Sequence, residues 1–190
     1  MHGVILYQFR HFVTDRFGPG VWEGARRAAG LADQAHAPVR LYPDAHLERL
    51  LVALEDEVGL CRNDLLESFG AWTIPPLIKM YRSLIPAHWD ARDFLLNLEE
   101  HIHEKLVRLK DPQAQPPRIQ VRETAPGVLE LYYHSHRDLS ALAVGAVYGV
   151  AGYFGEKAEL MENEPVRGGH RRFVFRLTRA ESRRPSLTAV

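Results

Sequence analysis

Tyr133-His134-Ser135-His136-Arg137 places two hydroxyls and a guanidinium at alternate positions. In a strand, residues i, i+2 and i+4 share one face, so Tyr133, Ser135 and Arg137 line up. A guanidinium grips a carboxylate with two parallel hydrogen bonds, and neighbouring hydroxyls add donors. Leu129 and Leu131 continue the same face upstream. The row leaves an apolar wall and ends in carboxylate-binding groups. That suits a ligand with an apolar body and two anionic arms. The same pattern also describes a strand that turns polar where it leaves a core. His134 and His136 share the other face and form a weaker candidate for a metal pair, with no carboxylate fixed beside them.

A second candidate lies on a helix expected over Asp90–Leu109. Phe94, Leu95, Leu98, Ile102, Leu106 and Leu109 form one apolar arc at ~100° per residue, and Leu96 and Val107 extend it. His103 falls between Leu106 and the Leu96/Val107 pair, pointing inward. His101 falls at the other edge, beside Phe94. A buried neutral imidazole is a good ligand for iron. It also fits a hydrogen-bonded core histidine. Other chemistry finds little support. The single cysteine, Cys61, has no histidine paired with it in sequence, and no G-x-S-x-G, P-loop, H-E-x-x-H or dinucleotide motif occurs. The expectation is a protein that is not an enzyme.

The elements that position these residues follow from pattern. The chain has 190 residues, 46% hydrophobic and 25% charged, enough for one globular domain with its own core. Lys+Arg and Asp+Glu are both 24, which removes the electrostatic footprint of a nucleic-acid binder. One cysteine excludes an intramolecular disulfide. The longest uncharged run, Leu139–Gly155, has 17 residues and falls short of the ~20 a spanning helix needs. The N-terminal apolar run is interrupted by Gln8 and Arg10. A cytoplasmic protein without membrane insertion is expected.

Helices are expected over Gly3–Phe17, Val21–Ala29, Asp44–Val58 and Asp64–Phe69, with a break at Pro75-Pro76 and a further helix over Leu77–Ile85. Beyond Asp111-Pro112 the period changes. Strands are expected over Arg118–Glu123 and Val128–Ser135, then a helix over Leu139–Gly155, then strands over Lys157–Glu162 and Arg171–Leu177. The fold class is α+β: an N-terminal helical subdomain followed by a β-β-α-β-β half with a mainly antiparallel four-stranded sheet. Gly145 and Gly149 prepare the Leu139–Gly155 helix for close packing on the sheet or on a flat ligand. A polar tail is expected over 179–190.

In order and spacing these features resemble the H-NOX domains, the heme-based nitric-oxide and oxygen binding modules also found in soluble guanylate cyclase. The resemblance covers residues 1–178 as a single domain. It rests on Met1-His2-Gly3, Phe17-Gly18, Trp22-Glu23, Phe69-Gly70, Ile102-His103, Pro116-Pro117 and, most specifically, the Y-x-S-x-R motif Tyr133, Ser135, Arg137. It implies heme b (protoporphyrin IX iron) with His103 as the axial iron ligand. Tyr133, Ser135 and Arg137 would bind the propionates, and Pro117 would press on the porphyrin. Ile5 and Phe9 would line the distal side, with Thr73 nearby. Several relatives have one residue fewer before the histidine, which makes His101 a rival; the apolar arc and the H-x-x-L pattern ending at Leu106 favour His103.

Oxygen-binding members carry a distal tyrosine five residues after the motif arginine, where this chain has Leu142. A leucine offers no hydrogen bond to bound oxygen, so the resemblance implies binding of NO and CO and exclusion of O2. It also implies a stand-alone switch in which NO releases the His103 helix. A separate partner, such as a histidine kinase or a diguanylate cyclase, would read the shift. The alternative is a heme-free V4R-like domain holding an anionic apolar ligand.

Overall fold

Helix α1 (Gly3–Phe17) begins where Nδ1 of His2 accepts the Val4 N–H at 3.3 Å. It ends at Gly18, whose φ of 94° no L side chain adopts without strain. Pro19 opens α2 (Pro19–Ala28), a position where its missing N–H costs nothing, so this helix starts two residues before the expected Val21. α3 spans Ala45–Val58 and α4 spans Arg62–Met80. Together they bury Leu6, Phe9, Phe12, Leu47, Leu51 and Phe69 in one core. The N-terminus is pinned across it: Gly3 N–H donates to Arg40 O at 2.7 Å and Tyr42 N–H to Met1 O at 2.9 Å. A Cβ at Gly3 would stand 2.0 Å from the Ala37 carbonyl oxygen, so the approach requires glycine.

The expected break at Pro75-Pro76 is absent, and α4 runs through both prolines. Proline removes the N–H that would bond four residues back, here to Ala71 and Trp72. Packing outweighs that loss, because α6 (Ser140–Tyr153) crosses α4 backbone to backbone. A Cβ on Gly145 would meet Glu67 O at 1.9 Å, one on Gly70 would meet Leu142 O at 2.3 Å, and one on Gly149 would meet Ala71 O at 2.7 Å. The glycine pair thus receives α4 rather than the sheet or a flat ligand.

The computed structural model describes residues 1–108, 115–168 and 170–179, without the side chains of 105–108. Leu109, Asp111-Pro112 and residues 180–190 of the expected tail lie outside the described residues. The single helix expected over Asp90–Leu109 is instead two. α5 (Ala91–Leu96) is capped by Asp90, whose carboxylate accepts the Asp93 N–H at 2.8 Å. After Asn97 the chain winds as a π-helix over Leu98–Arg108. Its i→i+5 bonding turns each residue by less than the α-helical step.

Four antiparallel strands follow in the order β1-β2-β4-β3: β1 Arg118–Ala125, β2 Val128–His134, β3 Glu156–Val166 and β4 His170–Arg179. This is the α+β class expected, with β1, β3 and β4 lengthened by a few residues and β2 one residue shorter. The inner face packs under α6 and α5 around Leu129, Leu131, Phe173 and Phe175. On the outer face Glu130, held by Arg122 and Arg172 from the flanking strands, is nearly buried. Those two hydrogen bonds hold its carboxyl below the usual range. Among the described residues no helix is long and apolar enough to cross a membrane.

Candidate functional site

Strand pairing builds the wall. Leu129, Leu131 and Tyr133 stand on the inner face of β2, and their register partners on β4 are Phe175, Phe173 and Arg171. On β1, Val121 and Ile119 face Leu131 and Tyr133. Both central strands thus change from apolar to polar at one level. Below it lies an apolar cavity of about 40 Å³ lined by Ile74, Phe94, Leu98, Ile119, Leu131 and Val147 among others. Above it lies a polar cavity of about 490 Å³ lined by Tyr133, Ser135, His136, Arg137, Asp138, Ser140, Gly168 and Arg171. The row Tyr133–Ser135–Arg137 is therefore assembled as the alternation predicts, although β2 ends at His134 and Ser135 lies just beyond it.

Each member is held. Burial pushes the Tyr133 hydroxyl above its ordinary pKa, against the pull of its hydrogen bond with Ser135. Ser135 Oγ accepts the Arg137 N–H at 3.0 Å. Nη1 of Arg137 donates to Gln115 O at 2.5 Å. Its Nε lies 2.9 Å from Oδ2 of Asp44, an ion pair without hydrogen-bond alignment. Asp44 also accepts the Met1 ammonium at 2.6 Å on Oδ1 and lies 3.3 Å from Nε2 of His136. Partial burial opposes the Asp44 charge, but the ammonium and Arg137 outweigh it and bring the carboxyl down to about 2.

On the helix side, Nδ1 of His103 lies 3.0 Å from Oε2 of Glu99, one turn earlier. The same oxygen accepts the Ile119 N–H at 3.0 Å, which ties the pair to β1. His103 is mostly covered, with 14% of its side chain exposed. The rival His101 packs edge-on against Trp89, ring centroids 5.3 Å apart, and its buried Nδ1 has no hydrogen-bond partner. Pro117 is half-buried just before β1.

The remaining predicted residues fall in the helical core. Phe9 is fully buried, 5.0 Å from the Phe69 ring, and Ile5 and Leu142 pack on the same cluster half-buried. None of these three lines either cavity. Thr73 is buried with a hydroxyl that has no partner. The His134/His136 pair does not form. His134 instead stacks on His170 with centroids 4.0 Å apart, while His136 turns to Asp44. Among the described residues no group of three or more His, Cys, Asp or Glu could hold a metal ion.

Sequence reasoning missed Asp44 and Arg171 as site residues. Nothing in the sequence links Asp44 to Arg137, which is 93 positions away, and Arg171 meets Tyr133 only through strand register. The Glu99–His103 contact was open to discovery, since residues four apart share a helix face.

An apolar wall thus meets a polar end with carboxylate-binding groups on β2, and a carboxylate-held imidazole lies on the helix side of β1. The sequence matches the family model described as Haem-NO-binding over residues 2–162. The chain belongs to that family. It is similar to the solved structure of an unliganded Fe(II) H-NOX protein from K. algicida, at 22% identity and a TM-score of 0.82 over 97% of this chain and 100% of that one. It is similar to the S. oneidensis H-NOX protein in the Fe(II)NO state, at 18% identity and 0.84 over 94% and 99%. It is also similar to an oxygen-binding H-NOX domain related to soluble guanylate cyclases, at 22% identity and 0.78 over 94% of each. Heme is the cofactor this membership brings, and domains of the family are gas sensors.

Proposed function

We propose that this chain is a heme-based sensor of NO and CO that excludes O2, with His103 as the iron ligand. The observation that carries the reading is the inner face of β2, where an apolar wall runs directly into Tyr133, Ser135 and Arg137 at a polar cavity. This donor set fits a porphyrin that is apolar over its body and carboxylated at one edge. Bound heme supplies the ferrous iron at which a diatomic gas is held.

The chain's residues divide the work. Tyr133 and Ser135 donate hydroxyl hydrogen bonds and Arg137 a charged one to the propionates. Oε2 of Glu99 accepts the hydrogen bond from Nδ1–H of His103, which fixes the ring tautomer and directs the Nε2 lone pair away from the carboxylate. Pro117 supplies a rigid contact to the macrocycle. Ile5, Phe9 and Leu142 offer the distal side no hydrogen-bond donor, and bound O2 needs one far more than NO or CO does. At about 40 Å³ the apolar cavity takes a macrocycle only if its lining helices stand off from the sheet, among them, through Leu98, the π-helix. His103 lies on that same segment, so its displacement is the motion a separate partner reads. A histidine kinase or a diguanylate cyclase in the cytoplasm suits that output.

The test is an absorption spectrum of the reduced, heme-loaded protein under argon, air, CO and NO in turn. The expected result is a five-coordinate ferrous spectrum unchanged by brief air and shifted by CO and by NO. A stable oxy spectrum overturns the exclusion of O2 and makes the unpartnered Thr73 hydroxyl the donor to remove. Failure to take up heme overturns the sensor reading.

A further inference from the structure

Two carboxylates enter a site where one guanidinium has already spent part of its capacity. Arg137 gives Nη1 to Gln115 O, and its charge is matched by Asp44. A second cation lines the same cavity. Arg171 is the register partner of Tyr133, so both side chains leave the sheet on the inner face. Its guanidinium is fixed from β3, where Asn163 Oδ1 accepts from Nε at 2.9 Å and from Nη2 at 2.5 Å. Nη1 has no partner among the described residues, and no carboxylate there pairs with this arginine. A fixed guanidinium held only by a neutral amide keeps its full charge for something else.

We propose that Arg171 receives the second propionate of the heme, with Asn163 as its positioning residue. The inference rests on the heme reading above and adds a cation to the Y-x-S-x-R row. Arg137 and the two hydroxyls hold the propionates from β2, and Arg171 adds a charged contact to the second of them from β4. Asp138 lines the same cavity, and Arg171 offsets its repulsion of the incoming anions. Neither Arg171 nor Asn163 carries any sequence signal for this, because only strand register brings them to the row.

The test measures heme loss from the ferric holoprotein to a large excess of apomyoglobin. Wild type, Arg171→Gln, Arg171→Lys, Asn163→Ala and Arg137→Gln are each loaded with heme or with its dimethyl ester, which lacks both charges. Loss of one charge-assisted contact predicts about tenfold faster release of heme from Arg171→Gln, with less acceleration in Arg171→Lys and Asn163→Ala. The ester leaves wild type and Arg171→Gln at the same rate. Thermal melting of each apoprotein checks that the variants are folded. Unchanged heme release from Arg171→Gln beside faster release from Arg137→Gln overturns this inference and leaves the heme reading standing. Equal acceleration for heme and ester shows a general loosening and overturns it too. A wild-type chain that takes up no heme overturns both.

Discussion

The two sides of the site are built on different principles. On the strand side, side chains alternate with a period of 2, and antiparallel pairing fixes each neighbour. Leu131, Tyr133, Phe173 and Arg171 therefore stand where backbone geometry puts them. On the helix side, His103 lies in a π-helix whose winding departs from the α period, beside a short α5 and a small cavity. One side is fixed by backbone pairing, and the other departs from regular α winding beside unfilled apolar space. That division suits a sensor, which needs one fixed reference and one element with two arrangements.

The largest effect is expected on the helix side. His103→Ala removes the proposed iron ligand and loses bound heme, or holds it loosely, with retention restored by added imidazole. Heme stoichiometry by absorbance reads this directly. His101→Ala keeps its heme. If the two variants exchange behaviours, the ligand lies two residues earlier and the Glu99 contact serves packing alone.

The joint between the halves comes next. Gly145→Ala drives a Cβ into the Glu67 carbonyl, where both partners are backbone and neither can yield. A stability loss of about 2–3 kcal/mol is expected from overpacking. Gly152→Ala, in the same helix but facing open space, is expected to gain a few tenths of a kcal/mol from helix propensity. Denaturant melts of the two variants settle whether α6 is held by close approach to α4. Equal effects would leave the crossing unspecific.

This contrast also explains what could be read in advance. The four strands and the row at Tyr133 were legible because a period of 2 survives any tertiary context with one buried face. Helix α1 was legible from its apolar spacing and Gly18. The persistence of α4 through Pro75-Pro76 was not, since proline's local cost is visible in sequence and the α6 contact that outweighs it is not. The π winding was hidden for a similar reason: Phe94, Leu98 and Ile102 suit an α-helical stripe as well. The Asp44 and Arg171 contacts depend on chain crossings that no local window contains.

Leu142→Tyr tests the distal assignment. A phenol donor facing bound O2 is worth about 1.5–3 kcal/mol, so O2 affinity is expected to rise about tenfold or more. Oxygen titration of the ferrous protein measures it. Leu142 packs on the helical core beside the α4 crossing. An unchanged affinity would therefore keep it as a core residue and remove the present argument for gas selectivity.

The smallest effect concerns Asp44, which joins the helical half to the strand row through Met1 and Arg137. Its carboxyl falls from an ordinary 3.8 to about 2 in the folded chain. A group with a depressed folded value stabilises the fold fully above the unfolded pKa. That contribution is lost as pH falls through the folded one. The stabilisation is therefore complete above about pH 5 and fades between about pH 4 and pH 2. The carboxylate is partly exposed, and solvent screening reduces its worth to about 1 kcal/mol. Asp44→Asn should thus unfold about 1 kcal/mol more easily than wild type at pH 7, with the gap closing towards pH 2. Denaturant melts across that range provide the measurement. A gap that persists unchanged at pH 2 would mean that Asp44 acts through packing rather than charge, and the charged tie between the helical half and the strand row would then contribute nothing beside the α4–α6 crossing and the Arg62–Asp138 hydrogen bond.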